Sequence, residues 1–454
     1  MKMRKWLGLF ASFTLLSACA AFTPNNTDTE DTENTTDTDA GTETGTDTTA
    51  NSGEKIELDF WTFWGSEIRR PIIEEIINDF NESQDEIFVK HTYNPFGDIW
   101  TKELAQIAAG NPPDVVINDI NATALRGQKQ QAESLQPFLE EDDISDWFYP
   151  ELWEATLYEG ESYGIPFTTD TRVLYYNKDL FEAAGLDPEA PPTTWDELEE
   201  YARQLDVEEG GELTQMGFYP LYGVGMDVWM LNSAGQNFFD EEGNPQVDTP
   251  ENAAALEWIL EWREHYGVDT VNRYQAQIDS GQANPFFTGE LAMIAQTGTF
   301  YTQIKQYAPD MNIGVAFLPE REEGSGHTSW GGGFVAEIPK GAKNPEASWK
   351  FLKYLGDVHA QEIWASKNFD SVANMEAAET AIDNEIFDEQ DSMVYQLTVE
   401  NMDHTILTPV PLTASDFGNT LNPILDNILL GETSVEDGLQ EAQESLERLV
   451  ESNQ

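Results

Sequence analysis

The chain has 454 residues and a formal net charge of −61, with 84 acidic residues against 23 basic ones. A surface of this charge repels nucleic acid and anionic membranes, which excludes functions that depend on binding phosphate backbones or acidic lipids. Five histidines, one cysteine and no loop of calcium-binding spacing predict neither a metal site nor an internal disulfide, and no motif predicts a cofactor.

The first eighteen residues follow the pattern of an export signal. Three basic residues near the start precede an apolar run over 6–16. A helix that spans a bilayer needs about 20 residues, so this short run predicts a removable signal peptide at 1–18. The segment Leu-Ser-Ala-Cys ending at Cys19 resembles the lipobox of bacterial lipoproteins and implies a lipid on that cysteine. The alternative is an ordinary signal peptide followed by a chance cysteine.

The segment at 19–54 is rich in threonine, acidic residues and glycine, and between 24 and 53 it has no aromatic or large aliphatic residue. Such a composition predicts an extended, disordered acidic linker. About 400 residues follow, which exceeds the usual size of one domain and predicts two lobes.

Strand and helix patterns alternate from residue 55 onward. Short apolar runs of strand character exchange places with longer runs whose apolar residues recur at helical spacing, and the C-terminal third is mainly helical. This alternation is typical of an α/β fold. The predicted strands are 56–61, 87–91 and 114–117, and the predicted helices are 70–81, 99–109, 345–355 and 435–450.

Several short segments, taken in order, resemble the bacterial extracellular solute-binding proteins of family 1. These are the carbohydrate receptors of ABC importers, and maltose-binding protein is among them. Each segment alone is a weak signal, whereas the occurrence of all of them in the same order as in the family is specific for it. The segments are 60–65, 110–115, 163–166, 170–172, 174–181, 192–198, 289–293, 330–333 and 434–439.

The resemblance implies a two-lobed α/β fold of the type II periplasmic-binding-protein class, with the chain crossing between lobes several times. It implies lobe one at 55–166 and 318–366, and lobe two at 167–317 and 367–454. It also implies a monomeric binding protein rather than an enzyme, which closes on a carbohydrate by hinge motion and delivers it to a membrane permease.

Sugars pack their C–H faces on aromatic rings and need polar partners for their hydroxyls. Trp64, Ser66 and Glu67 follow the first strand, at the end where α/β sheets bind ligands. Asn118 and Asp119 follow the buried strand in the same way, and both are predicted ligand contacts. A helix N-cap is the alternative for this second pair, because asparagine and aspartate are preferred there.

Asp170 stands where members of the family commonly carry a carboxylate that binds sugar hydroxyls. It lies in a polar run, Thr-Thr-Asp-Thr-Arg, which is a poor core sequence and favours exposure in a cleft. Arg172 is either the ion-pair partner of Asp170 or a group that grips an acidic sugar.

The remaining predicted contacts come from later segments. Family position places Trp229 at the cleft, with core packing as the alternative. Thr297, Gly298 and Phe300 follow a predicted strand, and family members often have tryptophan in place of this phenylalanine. Trp330 and Gly331 offer a flat ring beside backbone amides.

Other functions stay open at this point. A secreted glycosidase would need only a carboxylate pair, which 84 acidic residues supply by chance. A receptor that signals to a chemosensor would use the same closed lobes. Uronic acids, polyols and sugar phosphates are alternative ligands, although the negative charge disfavours anions and favours a neutral sugar. The lipid and linker together favour the outer face of a cell with no outer membrane.

Overall fold

The structure is a computed structural model that describes residues 55–279, 281, 283–382, 385–407 and 411–454. The predicted signal peptide at 1–18, Cys19 and the predicted linker at 19–54 lie outside the described residues. In the part of the chain that the structure describes, no helix combines the length and the apolar character needed to cross a membrane.

The described residues form strands and helices that alternate through the first half of the chain, followed by a mainly helical C-terminal part. The strands are β1 (Ile56–Thr62), β2 (Ile87–Tyr93), β3 (Val115–Asp119), β4 (Leu157–Tyr158), β5 (Glu161–Ser162), β6 (Ile165–Thr169), β7 (Arg172–Asn177), β8 (Val207–Glu209), β9 (Glu212–Gln215), β10 (Met293–Thr297), β11 (Ile313–Phe317), β12 (Ser329–Gly331), β13 (Gly333–Glu337) and β14 (Thr405–Leu407). The helices are α1 (Arg69–Ser83), α2 (Asp98–Ala108), α3 (Ile120–Gln128), α4 (Gln136–Leu139), α5 (Pro150–Glu154), α6 (Lys178–Ala184), α7 (Trp195–Leu205), α8 (Met226–Ala234), α9 (Pro250–Tyr266), α10 (Val268–Asp279), α11 (Pro285–Thr288), α12 (Phe300–Tyr307), α13 (Pro345–Leu355), α14 (Val358–Asn368), α15 (Met375–Ile382), α16 (Glu389–Glu400), α17 (Phe417–Leu430) and α18 (Val435–Asn453).

A five-stranded sheet forms the centre of the first lobe, with the strand order β2-β1-β3-β13-β6. Strands β2, β1 and β3 run parallel, whereas β13 runs antiparallel to both β3 and β6. These directions bring the carboxyl ends of β1, β2, β3 and β6 to one edge of the sheet, which we call the carboxyl edge. Side chains that follow these four strands are therefore placed side by side along it.

The second lobe contains a smaller antiparallel sheet in the order β10-β7-β11. Its central strand β7 buries Val173, Leu174 and Tyr175 completely. Helices α8 and α9 pack against each other in the same lobe, as do α17 and α18. The predicted α/β fold is thus confirmed, with the two sheets in separate lobes.

The predicted helices form because their apolar spacing gives each a buried face. In α1, the residues buried are Ile72, Ile73, Ile76, Ile77 and Phe80, which recur at the three- and four-residue intervals of one helix face. The N-cap of helix α18 is Ser434, whose side chain accepts a hydrogen bond from the backbone N–H of Asp437. The predicted strands at 56–61, 87–91 and 114–117 correspond to β1, β2 and β3.

Two hydrophobic cores define the two lobes. The first contains residues of β1 in the five-stranded sheet and of the helices α1, α13 and α14, which contact one another. The second contains residues of β7, α8, α9, α17 and α18. Helix α16 joins them, because Val394 is buried in the second core and the neighbouring Tyr395 in the first.

The cores divide the chain differently from the predicted lobes in two places. Val372 and the alanines of α15 pack in the first core, although 367–454 was assigned to lobe two. The reason is a backbone bridge between Thr168 and Val372, which attaches this segment to β6. Conversely, Leu318 and Trp330 pack with the second core, although 318–366 was assigned to lobe one.

Candidate functional site

Three stretches of chain meet where the lobes join: the link between β6 and β7, strand β12, and the 3₁₀ turn before β14. The hydroxyls of Thr171 and Thr405 lie 2.6 Å apart, and Asn401 Nδ2 donates to the Thr171 hydroxyl at 2.7 Å. The hydroxyl of Ser329 donates to the carbonyl of Arg172 and accepts from its N–H, both at 2.9 Å. This network holds the junction in a defined shape and positions the side chains beside it.

Asp170, Arg172 and Trp330 are brought together at this junction. Arg172 Nη1 donates to Asp170 Oδ1 at 2.6 Å and to the Trp330 carbonyl at 3.0 Å. The guanidinium carbon of Arg172 lies 4.3 Å from the centre of the Trp330 ring, a cation–π contact. The N–H of Gly332 also donates to Asp170 Oδ1, at 2.7 Å. The Asp170 side chain stays 28% exposed, so it is held firmly yet open to a ligand.

Three further carboxylates interact electrostatically with this group. Burial raises the pKa of Asp119, and the charge of Asp170 raises it further. Burial also raises the pKa of Asp227, while the charge of Arg172 opposes that shift. Asp370 is buried, which raises its pKa to about 7, while the charge of Arg69 opposes that shift. Carboxylates from both lobes therefore interact with the Asp170–Arg172 pair, and the guanidinium of Arg69 acts on Asp370. The four carboxylates outnumber these two guanidinium groups, which leaves acceptors for hydroxyl groups in excess.

Ser66 and Glu67 lie in an open pocket of about 400 Å³ between the lobes. The opposite wall of this pocket comes from α12, through Thr302, Gln306 and Tyr307. Both predicted residues are exposed. They thus lie at an interlobe opening, and their contact with a ligand stays a prediction.

The structure places three of the predicted aromatic contacts in the cores instead. Trp64 is 2% exposed, and its ring packs against Phe167 and Trp364 at centroid distances of 5.4 and 4.4 Å. Trp229 is fully buried and donates its indole N–H to a backbone carbonyl at 2.7 Å. Phe300 is 2% exposed and stacks on another phenylalanine. Because their faces are already covered, these rings have no surface to offer a sugar in this structure.

Asn118 belongs to a buried polar network of the first lobe rather than to the exposed edge. Its Nδ2 donates to Glu103 at 3.2 Å and to Glu337 at 3.0 Å. Arg126 donates to the same two carboxylates, with Nε at 2.5 Å from Glu337 and Nη2 on Glu103. Burial raises the pKa of Glu103 to about 7, with Arg126 opposing the shift. The network links α2, α3, β3 and β13, and we call it the Arg126 network.

Replacing Glu103 with glutamine is expected to weaken the pH dependence of the free energy of unfolding. The pKa of Glu103 is raised from 4.5 to about 7 by folding, so the folded protein binds more protons than the unfolded chain between these values. Its contribution to stability is therefore fully present below pH 4.5 and is lost as the pH rises through about 7.

Urea unfolding at about pH 5 and about pH 8 measures this difference for the wild type and Glu103→Gln. The free energy of unfolding should fall more for the wild type across the interval. Asp370 titrates in both proteins, so its contribution cancels in the comparison. Equal falls in the two proteins would show that Glu103 does not take up a proton on folding.

Thr297, Gly298 and Gly331 occupy structural positions around the junction. Thr297 lies directly opposite Arg172 in the pairing of β10 with β7 and stays partly exposed. The carbonyl of Gly298 accepts a hydrogen bond from the Tyr175 hydroxyl at 2.8 Å. Gly331 is buried, and a Cβ there would lie 2.3 Å from the carbonyl oxygen of residue 170. These two glycines therefore serve close packing rather than ligand contact in this structure.

An exposed aromatic cluster on the first lobe was missed by the sequence analysis. The ring of Phe63 lies 5.1 Å from Phe96, 6.3 Å from Trp100 and 4.7 Å from Phe334. Phe96 is 63% exposed, and the other three are partly exposed. These residues are separated by up to 271 positions in the sequence, from 63 to 334, so no local pattern could reveal that they meet. We call them the aromatic cluster.

Asp227 was also missed, because the prediction selected Trp229 from the same segment. The two residues lie two positions apart on α8 and therefore face different sides of the helix. Trp229 is in the core, whereas Asp227 is only half-buried. If Trp229 is taken as a core residue, the helical spacing places Asp227 on the opposite, less buried side of α8. That spacing was the sequence signal that could have identified Asp227.

The aspartate at 119 serves two purposes. Its side chain accepts a hydrogen bond from the N–H of Asn121 at 2.9 Å, which makes it the N-cap of α3. It also stays partly exposed at the carboxyl edge.

Within the described residues, no group of three or more His, Cys, Asp and Glu side chains is arranged to hold a metal ion.

Comparison with known proteins shows a consistent set of similarities. Residues 64–362 match the model of a family described as bacterial extracellular solute-binding protein. The arabinooligosaccharide-binding protein of Halalkalibacterium halodurans is 26% identical over 422 residues, which cover 86% of this chain and 89% of that protein. The mannitol-binding protein of Pseudomonas aeruginosa is 25% identical over 402 residues, which cover 81% and 88% of the two chains.

Solved structures of similar proteins agree with this fold. A structure of CpMnBP1 with mannotriose bound superposes with a TM-score of 0.75 at 26% identity, and it covers 86% of this chain and 100% of that one. The similarity extends over both lobes of the fold described above.

Proposed function

The chain belongs to the bacterial extracellular solute-binding proteins, and we propose that it captures a neutral sugar or oligosaccharide between its lobes for delivery to an ABC permease. The family match and the relatives support a binding role outside the cell rather than an enzymatic one. Closure of the two lobes around the ligand would create the surface that the permease recognises.

The observation that carries this proposal is the group formed by Asp170, Arg172 and Trp330 at the junction of the lobes. A carboxylate fixed by an arginine is a strong acceptor for a sugar hydroxyl, and charge-assisted hydrogen bonds of this kind are stronger than neutral ones. The Trp330 ring lies beside it and is partly exposed, although Arg172 covers part of its face. We propose that the exposed part contacts the C–H face of a sugar. The combination matches the two demands of a sugar ring within one site.

A neutral ligand is favoured over an acidic one by the charges at this site. The guanidinium of Arg172 already pairs with Asp170 at 2.6 Å, and the charges of Asp119 and Asp227 act on Asp170 and Arg172 respectively. A uronic acid or a sugar phosphate would meet an excess of carboxylates. A polyol remains the runner-up, since a mannitol-binding protein is among the relatives and a polyol offers the same hydroxyl groups.

Anchoring through a lipid on Cys19 is a further part of the proposal. The apolar run at 6–16, the lipobox-like segment and the acidic composition of 19–54 support a receptor held on the outer face of a membrane by an extended tether. Metabolic labelling with a fatty acid, compared between the full chain and Cys19→Ala, would test this part separately from ligand binding.

A thermal-shift screen tests the proposed ligand class. The panel contains neutral mono- and oligosaccharides, mannitol, a uronic acid and a sugar phosphate. A ligand that binds only the folded state stabilises it by about 2.7 kcal/mol at 100 times its Kd, so a neutral saccharide should raise the Tm of the chain. A rise with the acidic members alone would contradict the proposal. New reducing ends after prolonged incubation would indicate a glycosidase.

A further inference from the structure

The carboxyl edge of the first sheet offers a long row of possible ligand contacts. Asp170 follows β6 at one end of the strand order, and Asp119 ends β3 near its middle. Phe63 follows β1, and Phe96 follows β2 at the other end. The Phe96 ring reaches toward the middle of the sheet, 6.4 Å from the Phe334 ring of β13, while the edge from β2 to β6 spans four strand spacings of about 4.8 Å, or about 19 Å. This length is several times the width of one hexose ring.

The aromatic cluster lies next to Asp119 on this edge. Phe334 is the residue of β13 that pairs with Asp119 of β3 and with Thr168 of β6. It is therefore the member of the aromatic cluster that lies nearest in strand order to Asp170. The pairing of β13 with β6 is irregular between Phe334 and Val335, and such an irregularity redirects side chains at a sheet end.

The rings of the aromatic cluster pack against the sheet and against one another, while Phe96 stays exposed to solvent. Trp100 donates its indole N–H to the carbonyl of Ile117 at 3.3 Å, which fixes it against β3. Phe96 contacts the other rings edge-on, with centroids 5.1 Å from both Phe63 and Trp100. Its own side chain remains 63% exposed. An exposed ring that rests on a fixed aromatic base is suited to stack on the C–H face of a sugar.

From this geometry we propose that the aromatic cluster is a second sugar subsite and that the ligand is therefore an oligosaccharide. This inference rests on the proposed function and deepens it. The ring bound at Asp170 and Trp330 is the first unit, and the chain continues along the carboxyl edge past Asp119. A ring beyond it then stacks on Phe96. An oligosaccharide that occupies both the polar site at Asp170 and the aromatic cluster would explain why exposed aromatic rings lie along the same sheet edge as that polar site.

Affinity measured against chain length tests the second subsite. Mannose, mannobiose and mannotriose form one series, and arabinose with its di- and trisaccharides forms another. Calorimetric titration of the wild type should show tighter binding of the trisaccharide than of the monosaccharide. In Phe96→Ala the trisaccharide should lose at least about 10-fold in affinity, while the monosaccharide keeps its wild-type affinity. Phe96→Trp should retain trisaccharide binding, because it restores a stacking ring.

Phe88 provides the matched control. It is an exposed phenylalanine of the same lobe, at 45% exposure in the first half of β2, away from the carboxyl edge. Phe88→Ala should bind every length as the wild type does. Equal loss of the mono- and trisaccharide in Phe96→Ala, or equal wild-type affinity for all lengths, would overturn the second subsite alone. Failure of every saccharide to bind the wild type would overturn the proposed function and the subsite together.

Discussion

Replacing Arg126 with methionine is expected to lower the free energy of unfolding by about 3–5 kcal/mol, the usual cost of removing one partner from a buried ion pair. Arg126 is the cation of the Arg126 network, and its side chain is 5% exposed. Glu103 and Glu337 are fully buried beside it. Without the guanidinium, both carboxylates would remain buried and repel each other, and burial already raises the pKa of each.

Urea unfolding at neutral pH measures this loss, with Arg448→Met as the control. Arg448 makes an exposed ion pair with Glu444 at 3.7 Å, where the two side chains are 64% and 55% exposed. An exposed pair of this kind contributes about 0–1 kcal/mol, so the control should unfold almost as the wild type does. Similar stability of Arg126→Met and Arg448→Met would show that the network does not support the first lobe.

A large part of the fold follows from local sequence patterns. The isoleucine spacing of α1 predicts both the helix and its buried face, because a single helix face must be covered by apolar side chains. The strands β1, β2 and β3 are predicted by short apolar runs that alternate with the predicted helices. The Arg126 network follows from no such pattern, since Arg126 and Glu337 are 211 positions apart and become partners only through the antiparallel pairing of β13 with β3.

The lobe boundaries could not be located for the same reason. The segment around Val372 joins the first core through its bridge to Thr168, a partner about 200 positions earlier. Hydrophobicity indicates that such a segment is buried, but it does not indicate in which core. The resemblance to a family predicts that the chain crosses between the lobes several times. The residues at which it crosses depend on long-range pairings such as this one, which the resemblance does not locate.

Some residues of the candidate site could be predicted from local sequence, and others could not. The polar residues Asp170 and Arg172 lie in a run too polar for a core, and the structure places them together at the junction. The aromatic residues Trp64 and Trp229 could equally have been core or cleft, because a single ring carries no sign of the direction it faces. Phe96, the most exposed ring of the aromatic cluster, stands in a loop that no strand or helix pattern covers.

Replacing Asp170 with asparagine is expected to reduce affinity for a neutral sugar by about 10- to 100-fold. A hydrogen bond to a charged group contributes about 1.5–3 kcal/mol, and the asparagine keeps the shape of the side chain while losing its charge. Calorimetric titration with the saccharide found by the thermal-shift screen measures the change. Asp426→Asn is the control, because Asp426 is an exposed aspartate on α17 and should bind as the wild type does.

The direction of the change also separates the two classes of ligand. Asp170 occupies Arg172 Nη1 at 2.6 Å, and its charge adds to those of Asp119 and Asp227 around the same site. If the ligand were a uronic acid or a sugar phosphate, Asp170→Asn would remove a repulsive charge and release the guanidinium, so affinity would rise. Loss of affinity therefore supports a neutral ligand and a gain supports an anion. Unchanged affinity with unchanged folding would show that Asp170 does not contact the ligand.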